Sequence, residues 1–61
     1  MKQYLNKNII ISVKPQDRIL TFHAYVTSVT DFHISFTDKF KSQLTFRLDD
    51  VIEVRLNGGG F

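Results

Sequence analysis

The two histidines are the first side chains to consider for chemistry, because imidazole serves both as a metal ligand and as an acid–base group near neutral pH. His23 and His33 each lie on the polar side of a stretch in which apolar and polar residues alternate. If these stretches pair as strands, the two imidazoles could lie near each other. No carboxylate occupies a matching position, and a metal site needs more than two protein ligands. We therefore expect solvent-facing histidines without a metal or catalytic role.

Other catalytic arrangements have no better support. Asp49 and Asp50 could suggest a cation site, but adjacent acids at the entry to a strand are more typical of a cap or turn, and Asp31 is interpreted in the same way. The chain has no cysteine, which excludes disulfides and thiolate zinc sites. We predict no enzyme activity, no cofactor and no metal site.

A binding surface has more support than a catalytic one. Aromatic and basic residues alternate outward from neighbouring predicted strands, and small barrels bind single-stranded nucleic acids by stacking bases on aromatic rings and pairing phosphates with basic groups. The alternative interpretation is the ordinary polar outer face of a β-barrel. The candidate surface comprises His23, Tyr25, His33, Lys39, Phe40, Lys41, Arg47 and Arg55.

Phe40, between Lys39 and Lys41, has three possible roles. It could fold back and cap the mouth of the barrel, contact a protein partner or second subunit, or stack on a base while the lysines bind phosphates. Its parity is that of Phe36, so a strand continued through Lys39 would point the ring inward. The pattern favours burial.

Strands must position these residues, because β-branched and aromatic residues dominate and alternation with period two recurs. The predicted strands lie within residues 8–14, 19–29, 32–37, 43–48 and 51–56. Pro15 and Asp17 predict a turn after the first strand, and the small Ala24 suits a bend in the longest one. We expect a single 3₁₀ turn at Asp49 and Asp50, and a short helical turn near the N-terminus.

This pattern predicts an all-β fold, a five-stranded SH3-like or Sm-like small barrel. Closure would remove the exposed sheet edges that favour aggregation. The expected inward-facing residues are Ile9, Ile11, Val13, Leu20, Phe22, Val26, Phe32, Ile34, Phe36, Leu44, Phe46, Ile52, Val54 and Leu56.

Residues 5–38 resemble the Sm/LSm family and, more broadly, SH3-like barrels. They contain a helical end with a leucine, a Val/Ile strand, a turn, a long strand, and an Asp-aromatic pair before a third strand. The resemblance implies a bent barrel, ring assembly through edge pairing, and RNA binding. The chain departs from the family at Ala24, where Sm proteins carry glycine, and at His33, near the position of their base-contacting Asn. Arg55 and the residues after it only approximate the family's Arg-Gly pair.

A second resemblance concerns the segment "LTFRLDDVIEV", residues 44–54. It is similar to the C-terminal part of the YolD-like proteins of Gram-positive bacteria and their phages. This similarity implies a small accessory protein.

Length and charge limit the remaining possibilities. We interpret residues 1–57 as a single barrel domain and residues 58–61 as a flexible, glycine-rich tail. The net charge of +2 is mildly basic, and no apolar run is long enough for a signal peptide or a membrane span. We therefore expect a cytoplasmic, non-enzymatic binding or regulatory module of bacterial, phage or plasmid origin, associated with nucleic acid. The alternative is a protein-interaction adaptor or inhibitor, acting through an edge strand and residues 39–41 and able to form homo-oligomers.

Overall fold

The alternating segments form five β-strands in the structure, a computed structural model that describes residues 1–57. The strands are β1 (Asn8–Val13), β2 (Leu20–Val29), β3 (His33–Asp38), β4 (Gln43–Arg47) and β5 (Val51–Leu56). Short 3₁₀ turns, Lys2–Tyr4 and Leu48–Asp50, precede β1 and β5. The predicted all-β, five-stranded fold with a short N-terminal helical turn is confirmed. The predicted flexible tail lies outside the described residues. No helix in the described part of the chain has the length and apolar character needed to cross a membrane.

The strands form one antiparallel sheet in the order β4-β3-β2-β1-β5. The ten-residue β2 is the centre of this order, because its first part pairs with β1 and its second part with β3. Ala24, where a bend was predicted, pairs regularly with Ile9 and Asp38, and the register of the β2–β3 ladder shifts between Val26 and Ser28. Within residues 1–57, β4 and β5 are the outer strands of the ladder.

The core lies on the side of the sheet predicted from parity. The fully buried apolar residues are Ile9, Ile11, Val13, Ala24, Val26, Ile34 and Phe36. The ring centroid of Phe36 lies 5.4 Å from that of Phe22 and 5.9 Å from that of Phe46, and the last two are 5.7 Å apart. These separations are typical of favourable aromatic contacts. The three rings therefore join β2, β3 and β4 through one cluster.

Three residues predicted to face the core are exposed. Phe32 (73% exposed) lies in the connection before β3, although its carbonyl still accepts a hydrogen bond from the N–H of Leu48 and so continues the β3–β4 register. Ile52 (53%) lies beside the register shift between β1 and β5, which disturbs the alternation. Leu56 (64%) pairs with the buried Ile9, but within residues 1–57 it is on an outer strand of the ladder. The prediction was wrong for these three because they lie before a strand, at a register shift or on an outer strand.

The acids predicted as caps do not act as caps. The 3₁₀ turn before β5 has no side-chain cap, and the carboxylate of Asp49 contacts Arg47 instead. In the β2–β3 connection the backbone is held by Thr30 rather than by Asp31. The Oγ1 atom of Thr30 accepts hydrogen bonds from the N–H groups of Phe32 (3.3 Å) and His33 (3.0 Å). A threonine hydroxyl can organise a turn in this way, although more weakly than an aspartate carboxylate.

Candidate binding surface

The β3–β4 hairpin ends in a tight tip, residues 39–42, that is organised by one carboxylate. Asp38 is only 8% exposed, and its Oδ1 atom accepts hydrogen bonds from the N–H groups of Phe40 and Ser42, each at 2.9 Å. The backbone N–H of Asp38 also donates to the Ser42 carbonyl, at 2.9 Å, and that of Lys41 donates to the Asp38 carbonyl, at 3.0 Å. These four bonds close the tip against the end of the strands.

Phe40 projects from this tip into solvent. It is 76% exposed, so the interpretation of Phe40 as a plug for the barrel mouth was wrong. The reason is that β3 ends at Asp38 and the chain turns there, so the parity of Phe36 does not extend to Phe40. The Nζ atom of Lys39 lies 5.2 Å from the ring centroid of Phe40, within the range of a cation–π contact.

Lys41 adopts an unusual backbone conformation. Its φ angle is +70°, in the left-handed region that favours glycine. For a residue with a Cβ atom this conformation costs about 1 kcal/mol. The tip therefore carries a cation at a position where backbone geometry alone would select glycine.

The outward side of the hairpin forms a continuous polar surface, which we call the hairpin face. It consists of three cross-strand pairs: His33 with Arg47, Ser35 with Thr45, and Thr37 with Gln43. The hydroxyl groups of the middle pair lie 2.8 Å apart. The structure therefore brings the predicted site residues His33 and Arg47 side by side and fills the space between them and the tip with neutral polar groups.

Tyr25 extends this surface onto β2. It pairs with Thr37 on one side and with Asn8 on the other, and it is 38% exposed. Antiparallel partners point to the same side of a sheet, so Tyr25 shares the outward side with Thr37. It lies close in the ladder to the end of β3 from which the tip projects.

The remaining two predicted residues lie elsewhere. His23 and Arg55 both pair with Ile10, from opposite sides, so β1 separates them. His23 is half-buried, and its Nδ1 atom lies 3.5 Å from the side-chain nitrogen of Asn57. His33 lies at the other end of the β2–β3 ladder, beyond Val29, so the pairing of the two strands does not bring the histidines together. In residues 1–57 no three His, Cys, Asp or Glu side chains converge as metal ligands would.

Charge is distributed unevenly along the hairpin. The tip has two exposed lysines, and the nearest acid, Asp38, is buried and hydrogen-bonded to backbone N–H groups. At the opposite end Arg47 is 3.5 Å from the carboxylate of Asp49, and the exposed Asp31 is two residues before His33. The tip is therefore the cationic end, whereas the other end carries one cation and two acids.

Sequence reasoning missed two residues at the ends of β3. Asp38 follows the third predicted strand and was given no role, although an Asp after a strand is a recognisable turn signal because its side chain can accept hydrogen bonds from the following backbone N–H groups. Phe32 was placed in the core, although the Thr30–Asp31 pair before it indicated a connection rather than a strand.

Two shallow concavities lie away from the tip. One, of about 370 Å³, lies between the N-terminal 3₁₀ turn and the β2–β3 connection, and the other, of about 290 Å³, lies beside Leu56. None of the eight predicted site residues lines either one. The candidate site is thus a projecting surface rather than a pocket.

Comparisons of the chain with protein-family models, with curated proteins and with solved structures found no match.

Proposed function

We propose that this chain is a non-enzymatic binding module that takes a single-stranded nucleic acid on the tip and the hairpin face. The observation that carries the proposal is Phe40, a 76% exposed ring held on an ordered turn between two lysines. Single-strand binders combine such aromatic rings, on which bases stack, with cations that neutralise phosphates. Unpaired bases, unlike those inside a duplex, offer their faces for stacking.

The local structure of the tip is better explained by a role in binding than by a contribution to the stability of the fold. An exposed phenylalanine gains little from folding, because its surface remains in water. The backbone of Lys41 is in a conformation that glycine would adopt at less cost. Residues that break local structural rules without stabilising the fold are typical of binding sites.

The surroundings fit the same ligand. Tyr25 offers a second aromatic side chain on the outward side. At the far end of the hairpin face, Arg47 is an exposed cation that a phosphate would share with the carboxylate of Asp49, 3.5 Å away. Hydroxyl and amide groups line the surface between Tyr25 and Arg47, and these can donate to phosphate oxygens without adding charge. Such a surface supports stacking and backbone contacts, which depend little on base sequence.

We expect the Phe40→Ala variant to bind a fluorescently labelled single-stranded oligonucleotide about tenfold more weakly than the wild type in fluorescence polarisation at low salt. Loss of one base–aromatic stack costs about 1–3 kcal/mol. Phe40→Trp should retain the affinity because it keeps a stacking surface. Since the ring is exposed, both variants should unfold at the wild-type temperature.

A matched control is Ile52→Ala, which removes an exposed apolar side chain from β5, three strands away from β3. It should leave binding unchanged. Lys39→Gln and Lys41→Gln should each reduce the slope of log affinity against log salt by about 0.7, the value for one phosphate contact with a single strand. Absence of wild-type binding at low salt, or equal affinity of Phe40→Ala and wild type, contradicts the proposal.

A second candidate function is protein interaction along β5. The observation that favours it is the exposure of two large aliphatic side chains, Ile52 (53%) and Leu56 (64%), on an outer strand of the sheet. An outer strand with apolar neighbours can add a strand from another chain through backbone hydrogen bonds.

If that added strand comes from a second copy, the wild type should scatter light as an oligomer. Ile52→Lys should then lower the mass to that of one chain, because a charge on the edge opposes strand addition. Tip variants should leave the mass unchanged. A monomeric wild type contradicts self-association through β5.

A further inference from the structure

We propose that the single strand bound at the tip continues across the sheet, over Tyr25 on β2, to Arg55 on β5, which holds a phosphate at the end of this path. The path rests on the proposed function and extends its site beyond the hairpin. The surface that it follows crosses β2 and β1, and we call it the transverse face. It consists of Thr37, Tyr25, His23, Ile10 and Arg55.

Strand pairing puts these five residues on one side of the sheet. Thr37 of the hairpin face pairs with Tyr25. His23, two residues before Tyr25 on β2, pairs with Ile10, and Ile10 pairs with Arg55. Antiparallel partners point to the same side of a sheet, and so do residues two apart on one strand. Both register shifts of the ladder lie outside these pairs, so the transverse face is continuous with the hairpin face.

The transverse face begins where the tip joins the sheet. Asp38, whose carboxylate closes the tip, pairs with Ala24, the residue between His23 and Tyr25. Lys39 follows Asp38 directly, so the chain enters the tip beside this part of β2. A nucleotide bound at Lys39 therefore has β2 as its nearest strand outside the hairpin.

Distance along the sheet does not decide between the arginines of the two outer strands, because both lie roughly 15 Å from Thr37. Arg55 is three strand intervals away, in a row offset by two residues. Arg47 is one strand interval away, in the row of His33, four residues along β3. Charge must therefore decide which of them a phosphate reaches.

Charge favours Arg55. Its side chain is exposed and forms no ion pair in residues 1–57, and the nearest acid along β5, Glu53, is two residues away, about 7 Å. Arg47, by contrast, lies 3.5 Å from the carboxylate of Asp49, which repels a phosphate at that position. The guanidinium of Arg55 can donate two hydrogen bonds to one phosphate without a carboxylate in competition.

The middle of the path offers a stacking surface that the hairpin face lacks. The six residues of the hairpin face include no tyrosine, phenylalanine or tryptophan. Tyr25 is 38% exposed, so part of its ring is open to a base. Beside it in the next row, Ile10 is a half-buried apolar residue on the side of β1 opposite the core. A base that leaves Tyr25 toward β5 thus passes over an apolar side chain before it reaches Arg55.

The test uses the full chain and a labelled octathymidylate, with affinity measured by fluorescence polarisation at several salt concentrations. Arg55→Gln should lower the slope of log affinity against log salt by about 0.7, the value for one phosphate contact with a single strand. The matched control, Arg47→Gln, removes the same charge from the other outer strand and should lower the slope by clearly less. Arg55→Lys should keep the wild-type slope because it keeps the charge. Both arginines are exposed, so these variants should unfold at the wild-type temperature.

Tyr25 variants test the middle of the path. Tyr25→Ala should bind about tenfold more weakly with an unchanged salt slope, since it loses a stack but no charge. Tyr25→Phe keeps the ring and should bind as the wild type does. Thermal unfolding identifies a temperature at which both variants are folded, and binding is compared there.

NMR spectroscopy locates the strand directly. On addition of octathymidylate, the amide signals of Ile10 and Arg55 should shift together with those of Phe40 and Lys41. Shifts confined to the hairpin overturn the path across the sheet.

The outcomes distinguish this path from the proposed function. If Arg55→Gln leaves the slope unchanged, or lowers it no more than Arg47→Gln does, the path to Arg55 is overturned. Wild-type affinity of Tyr25→Ala also overturns it. In either case a binding defect of Phe40→Ala leaves the proposed function standing. If the wild type does not bind the octathymidylate at low salt, both proposals are overturned.

Discussion

The Phe36→Ala variant should lose about 3–5 kcal/mol of unfolding free energy, the usual cost of removing a buried phenylalanine ring. Phe36 is 1% exposed and contacts both other rings of the aromatic cluster, Phe22 and Phe46. At about 0.05–0.15 kcal/mol per residue, a chain of 61 residues has a total stability of roughly 3–9 kcal/mol. The substitution therefore removes about a third or more of the stability. Urea titration followed by circular dichroism measures the change.

The chain provides a matched control for this prediction. Phe32→Ala removes the same ring four residues earlier, at a position of the same parity that is 73% exposed. It should change the unfolding free energy by no more than about 0.5 kcal/mol. Similar losses for the two variants, or no loss for Phe36→Ala, would contradict the placement of the core.

Sequence reasoning predicted the strands well because residues of one parity are more buried than those of the other along β3 and β4 and through most of β1. Ile9, Ile11 and Val13 illustrate this: their shared parity predicts one face, and all three are fully buried. The same rule fails where a strand ends or lacks a neighbour. Leu56 has inward parity but lies on an outer strand, and exposure there depends on which strands pair across the whole sheet. Parity contains no information about sheet order.

The residue types of the candidate site could be predicted from the sequence, but the directions of its side chains could not. A phenylalanine between two lysines stands out in the sequence, yet its direction depends on whether β3 continues past Asp38. The end of β3 depends in turn on the Asp38 carboxylate, which accepts hydrogen bonds from the N–H groups of Phe40 and Ser42. Phe32 was missed for a similar reason, since its position depends on Thr30 and on a long-range hydrogen bond from Leu48. The turn-forming residues Asp38 and Thr30 are local signals, but a local pattern cannot reveal the bond from Leu48.

The Asp38→Ala variant should lose about 3 kcal/mol of unfolding free energy and should also loosen the tip. The carboxylate is nearly buried and accepts two N–H groups at 2.9 Å, and hydrogen bonds to a charged group each contribute about 1.5–3 kcal/mol. The total lies near the lower bound because water can reach the N–H groups of the exposed residues Phe40 and Ser42 in the variant. Thermal or urea unfolding measures the stability, and amide hydrogen exchange at Phe40 and Ser42 measures the order of the tip.

Asp38→Asn separates the role of the oxygen from that of the charge. Asparagine keeps an acceptor at the same place, so the exchange protection of Phe40 and Ser42 should be largely retained and the stability loss should be smaller, about 1 kcal/mol.

If the tip contributes to binding because it fixes the Phe40 ring, affinity for a single-stranded oligonucleotide should fall as exchange protection falls. This comparison covers the wild type, Asp38→Asn and Asp38→Ala, under conditions in which all three are folded. Rapid exchange at both amides in the wild type would contradict the ordered tip. Equal affinity of the Ala variant and the wild type would show that pre-positioning of Phe40 does not contribute to binding.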